Sequence, residues 1–464
     1  MNVSSVTPFP EDFRWGALTT AYQAEGAAFT DGRGLSVWDV LCRREGAIYQ
    51  GQDGSVSCDH YHHYKEDIAL MRNIGLRTLR FSISWPRVLP HGTGTPNQKG
   101  LSFYDKYVDE LLAAGIQPAI TLFHWDYPYV LYCRGGWLSP ESPGWFADYA
   151  AAMVSLLGDR VTIWMTHNEP VGPIDAGMHH GAHAPGLKLP WPEVLLAGHH
   201  LLLSHGLAVQ AMRAATPKNL EIGMALCGVN GIPATGSDQD IQAAHKGSFA
   251  MTKRDLMPVS WWADPVVLGT YPEDALALFG HEMPKGFEKD LATIQQPLDF
   301  FGMNLYFGTY FRRGENGEPL QVHPPQGIGR MSVEWPVTPE VMYWTPKFLH
   351  ERYQLPIIIS ENGMSNLDWI SLDGKVHDPQ RIDYLHRHLI ELKRAMGEGI
   401  PVLGYWVWGI LDNFEWNAGY KERFGMIYVD YATQKRTLKD SAAWYAEVIR
   451  SNGESLKPTT QASP

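Results

Sequence analysis

Eight short runs of apolar and β-branched residues recur along the chain, with amphipathic stretches between them. They are Phe13–Thr19, Arg77–Trp85, Gln117–His124, Val161–Asn168, Leu220–Cys227, Leu298–Tyr306, Leu355–Ser360 and Val402–Trp408. Several are nearly continuous in apolar residues, the pattern of parallel strands covered on both faces. The stretches between them keep a helical spacing. Tyr104, Tyr107, Val108, Leu111 and Leu112 fall on one helical face, and Gly115 ends that helix. Phe146–Leu157 and Ile382–Met396 read the same way. Eightfold alternation of strand and helix predicts an α/β fold built as a single (β/α)8 TIM barrel with long βα loops. The alternative is a doubly wound open sheet, but no glycine-rich phosphate-binding fingerprint opens any helix.

The surplus length goes into loops at Thr30–Asp59, His179–Pro192 and Thr309–Thr345. Residues 1–451 are expected to form one catalytic barrel domain, and the polar, proline-containing tail 452–464 to be disordered. Net charge is −12, and no Lys/Arg run forms the basic patch that nucleic acid or anionic lipid requires. The segment Met1–Phe13 has no apolar core of a signal peptide, and the longest apolar run, Pro401–Leu411, is too short to span a bilayer. Cys42, Cys58, Cys133 and Cys227 show no paired spacing, as expected of free thiols in a reducing compartment. A cytoplasmic protein, monomeric or homo-oligomeric, is the resulting expectation.

In a barrel of this kind the chemistry lies at the carboxyl ends of the strands. Those ends carry Gln23, Arg80, His124-Trp125-Asp126, Asn168-Glu169, Asn304-Leu305-Tyr306, Glu361 and Trp408, the last followed by Glu415-Trp416. Two of them are Asn/Glu signatures on separate strands, Asn168-Glu169-Pro170 and Glu361-Asn362-Gly363. Paired carboxylates at one mouth are what glycoside hydrolysis requires, and amides, an imidazole and indoles suit a neutral polyol. The 17 Trp, 21 Tyr and 17 Phe are mostly core, but only a few indoles are needed to cover the C–H face of a sugar.

With these residues the chain resembles the β-glucosidases of glycoside hydrolase family 1. Asn168-Glu169-Pro170 is similar to the family's acid/base motif and Glu361-Asn362-Gly363 to its nucleophile motif. Phe13-Arg14-Trp15-Gly16, Gln23-Ala24-Glu25-Gly26, Arg80-Phe81-Ser82-Ile83-Ser84-Trp85-Pro86, Leu122-Phe123-His124-Trp125-Asp126 and Arg423-Phe424-Gly425 extend the match over nearly the whole chain. The resemblance implies a retaining double displacement with Glu361 as nucleophile and Glu169 as acid/base. It places the Tyr306 hydroxyl against Glu361 and Asn168 on the sugar 2-hydroxyl, with Arg80 the cation that keeps Glu361 ionised and Asn304 part of the catalytic group. It assigns Gln23, His124, Glu415 and Trp416 to sugar hydroxyls, Trp408 to the ring's underside, and Trp125 and Phe424 to the pocket. Trp335 is the candidate aglycone platform. The implied ligands are a small β-glucoside and glucose as product, with no cofactor or metal.

Glu415 also argues against a phosphorylated sugar, which a carboxylate would repel. Departures from the family pattern are His167, Ser360 and Gly409. His167 bears on packing or on the acid's pKa. Alternatives in the same fold are a β-galactosidase, a β-fucosidase or a transglycosylase. A thioglucosidase is disfavoured because Glu169 is present, and a silent sugar-binding protein because both glutamates are. Arg80 could instead be an ion pair for Asp67. The cluster His60, His62 and His63, ahead of a helix at Tyr64–Asn73, is not expected to hold metal. His199, His200 and His205 read as packed helix residues.

Overall fold

The computed structural model describes residues 9–457. Eight parallel strands close into a barrel: β1 (Arg14–Leu18), β2 (Thr78–Ser82), β3 (Gln117–Phe123), β4 (Ile163–Asn168), β5 (Glu221–Leu226), β6 (Phe301–Asn304), β7 (Ile357–Asn362) and β8 (Val402–Val407). They hydrogen-bond in the ring order β1-β8-β7-β6-β5-β4-β3-β2, so closure rules out the open-sheet alternative. Helices such as Gln98–Ala113, Ser142–Leu157, Trp191–Ala215, Val341–Tyr353 and Pro379–Gly397 connect successive strands. The barrel interior is filled by Leu18, Ala119, Ile163, Met165, Ala225, Phe300, Ile358 and Trp406, a packed core and not a pore.

Two β-bulges bring the two Asn/Glu signatures to the mouth. On β4 the register against β5 shifts between Met165 and Asn168. Thr166 and His167 both turn outward to the helix Trp191–Ala215, bonding His205 at 2.7 Å and Ser204 at 3.0 Å. Strict alternation would put Met165 and Asn168 on opposite faces; the extra residue lets both point inward. On β7 the register against β6 shifts between Ile359 and Glu361. Ser360 there donates to Asn304 at 2.7 Å, while Asn362 turns out to the hydroxyls of Tyr384 (2.9 Å) and Tyr405 (2.5 Å). β7 thus runs two residues past the expected Ser360.

Several expectations are corrected. The run Arg77–Trp85 splits, because Pro86 suits the first turn of a helix, and Trp85–Val88 is helical. Leu112 is exposed, at the edge of its helix's buried stripe. His60 opens the helix His60–Ile74, which starts four residues before the expected Tyr64. Residues 452–457, expected in a disordered tail, pack on the base of the barrel. Asn452 accepts from the Trp15 indole at 2.9 Å and donates to the Phe9 carbonyl at 2.7 Å, and Leu456 is buried. Residues 458–464 of that tail lie outside the described residues. Pro401–Leu411 is not the longest apolar segment either. The 25-residue helix Trp191–Ala215 is long and apolar enough to cross a membrane, but most of it is buried inside the protein. Its His199, His200 and His205 are bonded to Tyr271, the Trp137 carbonyl and Thr166.

Candidate active site

The carboxyl ends of the strands surround a cavity of 460 Å³. Of the residues given a catalytic or sugar-binding role in the sequence, all but Arg80 line it, and Arg80 lies beneath its floor, inside the barrel, while Asp126 and Leu305 are buried outside the lining.

Arg80 is the centre of the floor. Its Nη1 donates to Glu361 Oε1 at 3.0 Å and to the Ser360 carbonyl at 3.1 Å. Nη2 donates to Asn168 Oδ1 at 2.6 Å, and Nε to Thr121 Oγ1 at 2.8 Å. The alternative partner Asp67 is occupied elsewhere, by Arg436 and His60. The Tyr306 hydroxyl donates to the other oxygen of Glu361 at 2.8 Å. Glu361 therefore receives a full cationic bond and a phenolic one.

Glu169 is placed differently. Asn304 Nδ2 donates to its Oε1 at 2.8 Å and to Asn168 Oδ1 at 2.9 Å. The Cys227 thiol lines the same cavity and weakly opposes the rise of the Glu169 carboxyl. Burial pushes the Glu169 carboxyl up to about 8, and the neighbouring Glu361 charge pushes the same way. Burial raises Glu361 as well, but there Arg80 and Tyr306 oppose it from direct contact. The two acids share one field, so a single proton between them resides on Glu169 and the charge on Glu361.

The remaining wall is a set of amides, rings and one further acid. Asn168 Oδ1 accepts from both Arg80 and Asn304, so its amide nitrogen must donate to His124 Nε2, 3.1 Å away. Burial and the Arg80 charge hold His124 well below its ordinary range, as a neutral ring. The Gln23 amide donates to the Phe414 carbonyl at 3.0 Å and accepts from Thr20 at 2.9 Å. Trp416 packs against Trp125 and Trp38, with centroids 4.6 and 4.5 Å apart. Trp335 sits against Tyr306 and Phe424, at 5.2 and 6.3 Å. Glu415 has one buried oxygen without a partner, and burial pushes its carboxyl up to about 8, aided by the Glu361 and Glu422 charges. Trp125, Glu169 and Trp416 all have left-handed backbones (φ 77°, 40° and 48°), the kind of local strain that clusters at functional sites.

Sequence reasoning missed Cys227. It stands just past β5, so the strand-end rule alone could have found it, but no acid or amide marks the carboxyl end of that strand. It gave no role to Thr121, which holds Arg80, nor to Ser360, noted only as a departure from the family pattern, which holds Asn304. His167 does not reach the acid. It is buried in the layer between barrel and helix, stacked on Phe146 at 4.3 Å, so its effect is on packing. Among the described residues no group of three or more His, Cys, Asp or Glu side chains could hold a metal ion.

A closed (β/α)8 barrel with two unequally protonated carboxyls at its mouth, in a cleft of amides and indoles, is the architecture of a glycoside hydrolase. The model of glycosyl hydrolase family 1 matches residues 5–454, and the chain belongs to that family. It is 43% identical over 460 residues to β-glucosidase A of Acetivibrio thermocellus, covering 97% of this chain and 100% of that one. It is 40% identical over 450 residues to β-glucosidase A of Thermotoga maritima, covering 97% and 99%. A solved structure of a T. maritima β-glucosidase in complex with glucoimidazole superposes with a TM-score of 0.88 at 40% identity, covering 96% and 99% of the two chains.

Proposed function

We propose that this chain is a retaining β-glucosidase that releases glucose from the non-reducing end of β-D-glucosides. The observation that carries the reading is the unequal treatment of the two carboxyls, with Arg80 and Tyr306 on Glu361 and a neutral amide on Glu169. Glu361 attacks the anomeric carbon, and the bond to the leaving oxygen breaks as Glu169 gives that oxygen its proton. Water then attacks the glycosyl-enzyme, Glu169 takes the water's proton, and Glu361 leaves as a carboxylate, so the configuration is retained after two inversions. Asn168, His124, Gln23, Glu415 and Trp416 orient the glucosyl hydroxyls over Trp408, and Phe424 closes the pocket. Glu415 disfavours a phosphorylated sugar. Four unpaired cysteines support residence in a reducing compartment such as the cytoplasm. A role late in cellulose breakdown, on short cello-oligosaccharides, is consistent with the relatives named as glucan glucohydrolases.

The test separates the two roles. Glu361→Ala should abolish turnover, and azide should restore it as the α-glucosyl azide. Glu169→Ala should still cleave a glucoside with a good leaving group and yield the β-azide. Proton NMR of the wild-type reaction that showed α-glucose as the first product would sink the retaining mechanism.

A further inference from the structure

A second cavity, of 370 Å³, lies beside the catalytic one. It is enclosed mainly by the chain segments that follow β3 and β4, with Val37 added from the loop after β1. Trp125 lines both cavities. Its indole is pinned from the catalytic side. Nε1 donates to the Asn168 carbonyl at 2.9 Å, and the ring packs on Trp416 with centroids 4.6 Å apart. The segment after Glu169 closes on it as well, since a Cβ built on Gly172 would lie 2.4 Å from the ring. Trp125 is therefore a fixed partition between two chambers.

The second chamber has its own chemistry. Val37, Phe123, Met178 and Leu187 make its walls apolar, and among the described residues no charged side chain lines it. Two polar atoms interrupt this surface, the Trp137 indole nitrogen and the Tyr127 hydroxyl. Both residues line the cavity, each is 4% exposed, and their rings are 4.9 Å apart. Neither atom has a hydrogen-bond partner within the protein. An indole N–H can only donate, and burial pushes the Tyr127 phenol up, so it too keeps a proton to give. Buried donors of this kind are costly unless an acceptor meets them. The volume lies within the range of small-molecule sites, and Cys133, exposed in the lining, marks the entrance.

We infer that this chamber is a second binding site, for one neutral apolar molecule that carries a hydrogen-bond acceptor oxygen, such as an aromatic or alicyclic ketone. The walls take its hydrocarbon part, and Trp137 and Tyr127 donate to its oxygen. A charged molecule is excluded because nothing in the lining would replace its hydration. The molecule and a ligand of the catalytic cavity are held at the same time, with Trp125 between them.

The experiment is isothermal titration of the full-length chain with acetophenone, and with α-methylstyrene, which has the same shape without the oxygen. One acetophenone should bind per chain. Tyr127→Phe removes a hydroxyl that bonds nothing in the protein, so the thermal midpoint should stay where it is. Acetophenone should nevertheless bind about fivefold more weakly to that variant, while α-methylstyrene binds it as it binds the wild type. Cys133→Trp, a plug at the exposed entrance, should abolish binding of both. Turnover of 4-nitrophenyl β-D-glucoside should continue at saturating acetophenone. Absence of acetophenone binding, or binding that Tyr127→Phe and Cys133→Trp leave unchanged, overturns the inference. So does equal weakening of both probes by Tyr127→Phe, or inhibition competitive with the glucoside, which would put acetophenone in the catalytic cavity. The titrations stand whether or not the β-glucosidase reading does.

Discussion

Arg80 bonds Glu361 at 3.0 Å, while the acid opposite, Glu169, is held by an uncharged amide at 2.8 Å. Activity requires Glu361 ionised and Glu169 protonated, so each limb of the pH profile belongs to one side of this asymmetry. As pH rises through about 8, Glu169 loses its proton and kcat/KM falls. On the acid side Glu361 gains a proton, and Arg80 limits how far burial raises that limb by stabilising the carboxylate. Arg80→Met should move the acid limb to higher pH, and kcat/KM at the optimum should fall by about 100-fold or more. An unmoved acid limb in a folded variant would mean that Arg80 only props up the barrel floor.

Cys227 tests the other acid. Its thiol stabilises the ionised form of Glu169 and so lowers that group's pKa. Cys227→Ala should therefore move the basic limb of kcat/KM to higher pH and leave the acid limb where it is. A shift of both limbs together would point to a general rearrangement of the mouth.

Cys227 also marks the boundary of what the sequence carried. The barrel was legible because each strand is a dense apolar run and each helix keeps its own period. Glu169, Glu361 and the residues around them were legible because acids and amides at the ends of such runs are costly to bury without a purpose. The bulges on β4 and β7 were not legible, since an extra residue in a strand shows only when the partner strand's register is known. Yet they decide that Asn168 faces the cavity and His167 does not. Nor was the engagement of Gln23, whose partners Thr20 and Phe414 are 3 and 391 residues away. The Asn452 boundary failed for a similar reason. A polar tail looks disordered until Trp15 and Phe9, more than 400 residues earlier, offer it hydrogen bonds.

Gly363 closes the Glu361-Asn362-Gly363 signature because of a backbone contact. A Cβ built there would lie 1.7 Å from the Trp408 carbonyl oxygen, and a carbonyl cannot swing aside as a flexible side-chain end would. Gly363→Ala should push the β7 and β8 loops apart, displacing Glu361 from Arg80 and Trp408 from the cavity lining together. Overpacking of this kind typically costs about 1–3 kcal/mol. The thermal midpoint should drop by several degrees, with a larger proportional loss in kcat/KM. Full activity with a reduced midpoint would show that the two loops move independently.

Glu415 ties the electrostatics of the site to the stability of the chain. Its carboxyl rises from an ordinary 4.5 to about 8, chiefly through burial, and one oxygen has no partner. The folded chain therefore binds this proton more tightly than the unfolded chain does. The group's contribution to stability is fully present below about pH 4.5 and is lost as pH rises through about 8. At about 1.4 kcal/mol per unit, the loss amounts to a few kcal/mol at most. Glu415→Gln keeps the shape and removes the proton equilibrium. The variant's thermal midpoint should decline less than the wild type's between pH 5.5 and 8.5, so that at pH 8.5 it is the more stable protein. The same substitution should raise KM for β-glucosides, because an amide replaces the carboxyl proposed to bond the sugar hydroxyls. Midpoint curves that run parallel across this range would mean that Glu415 carries no strained charge, and that its place in the site comes without a cost in stability.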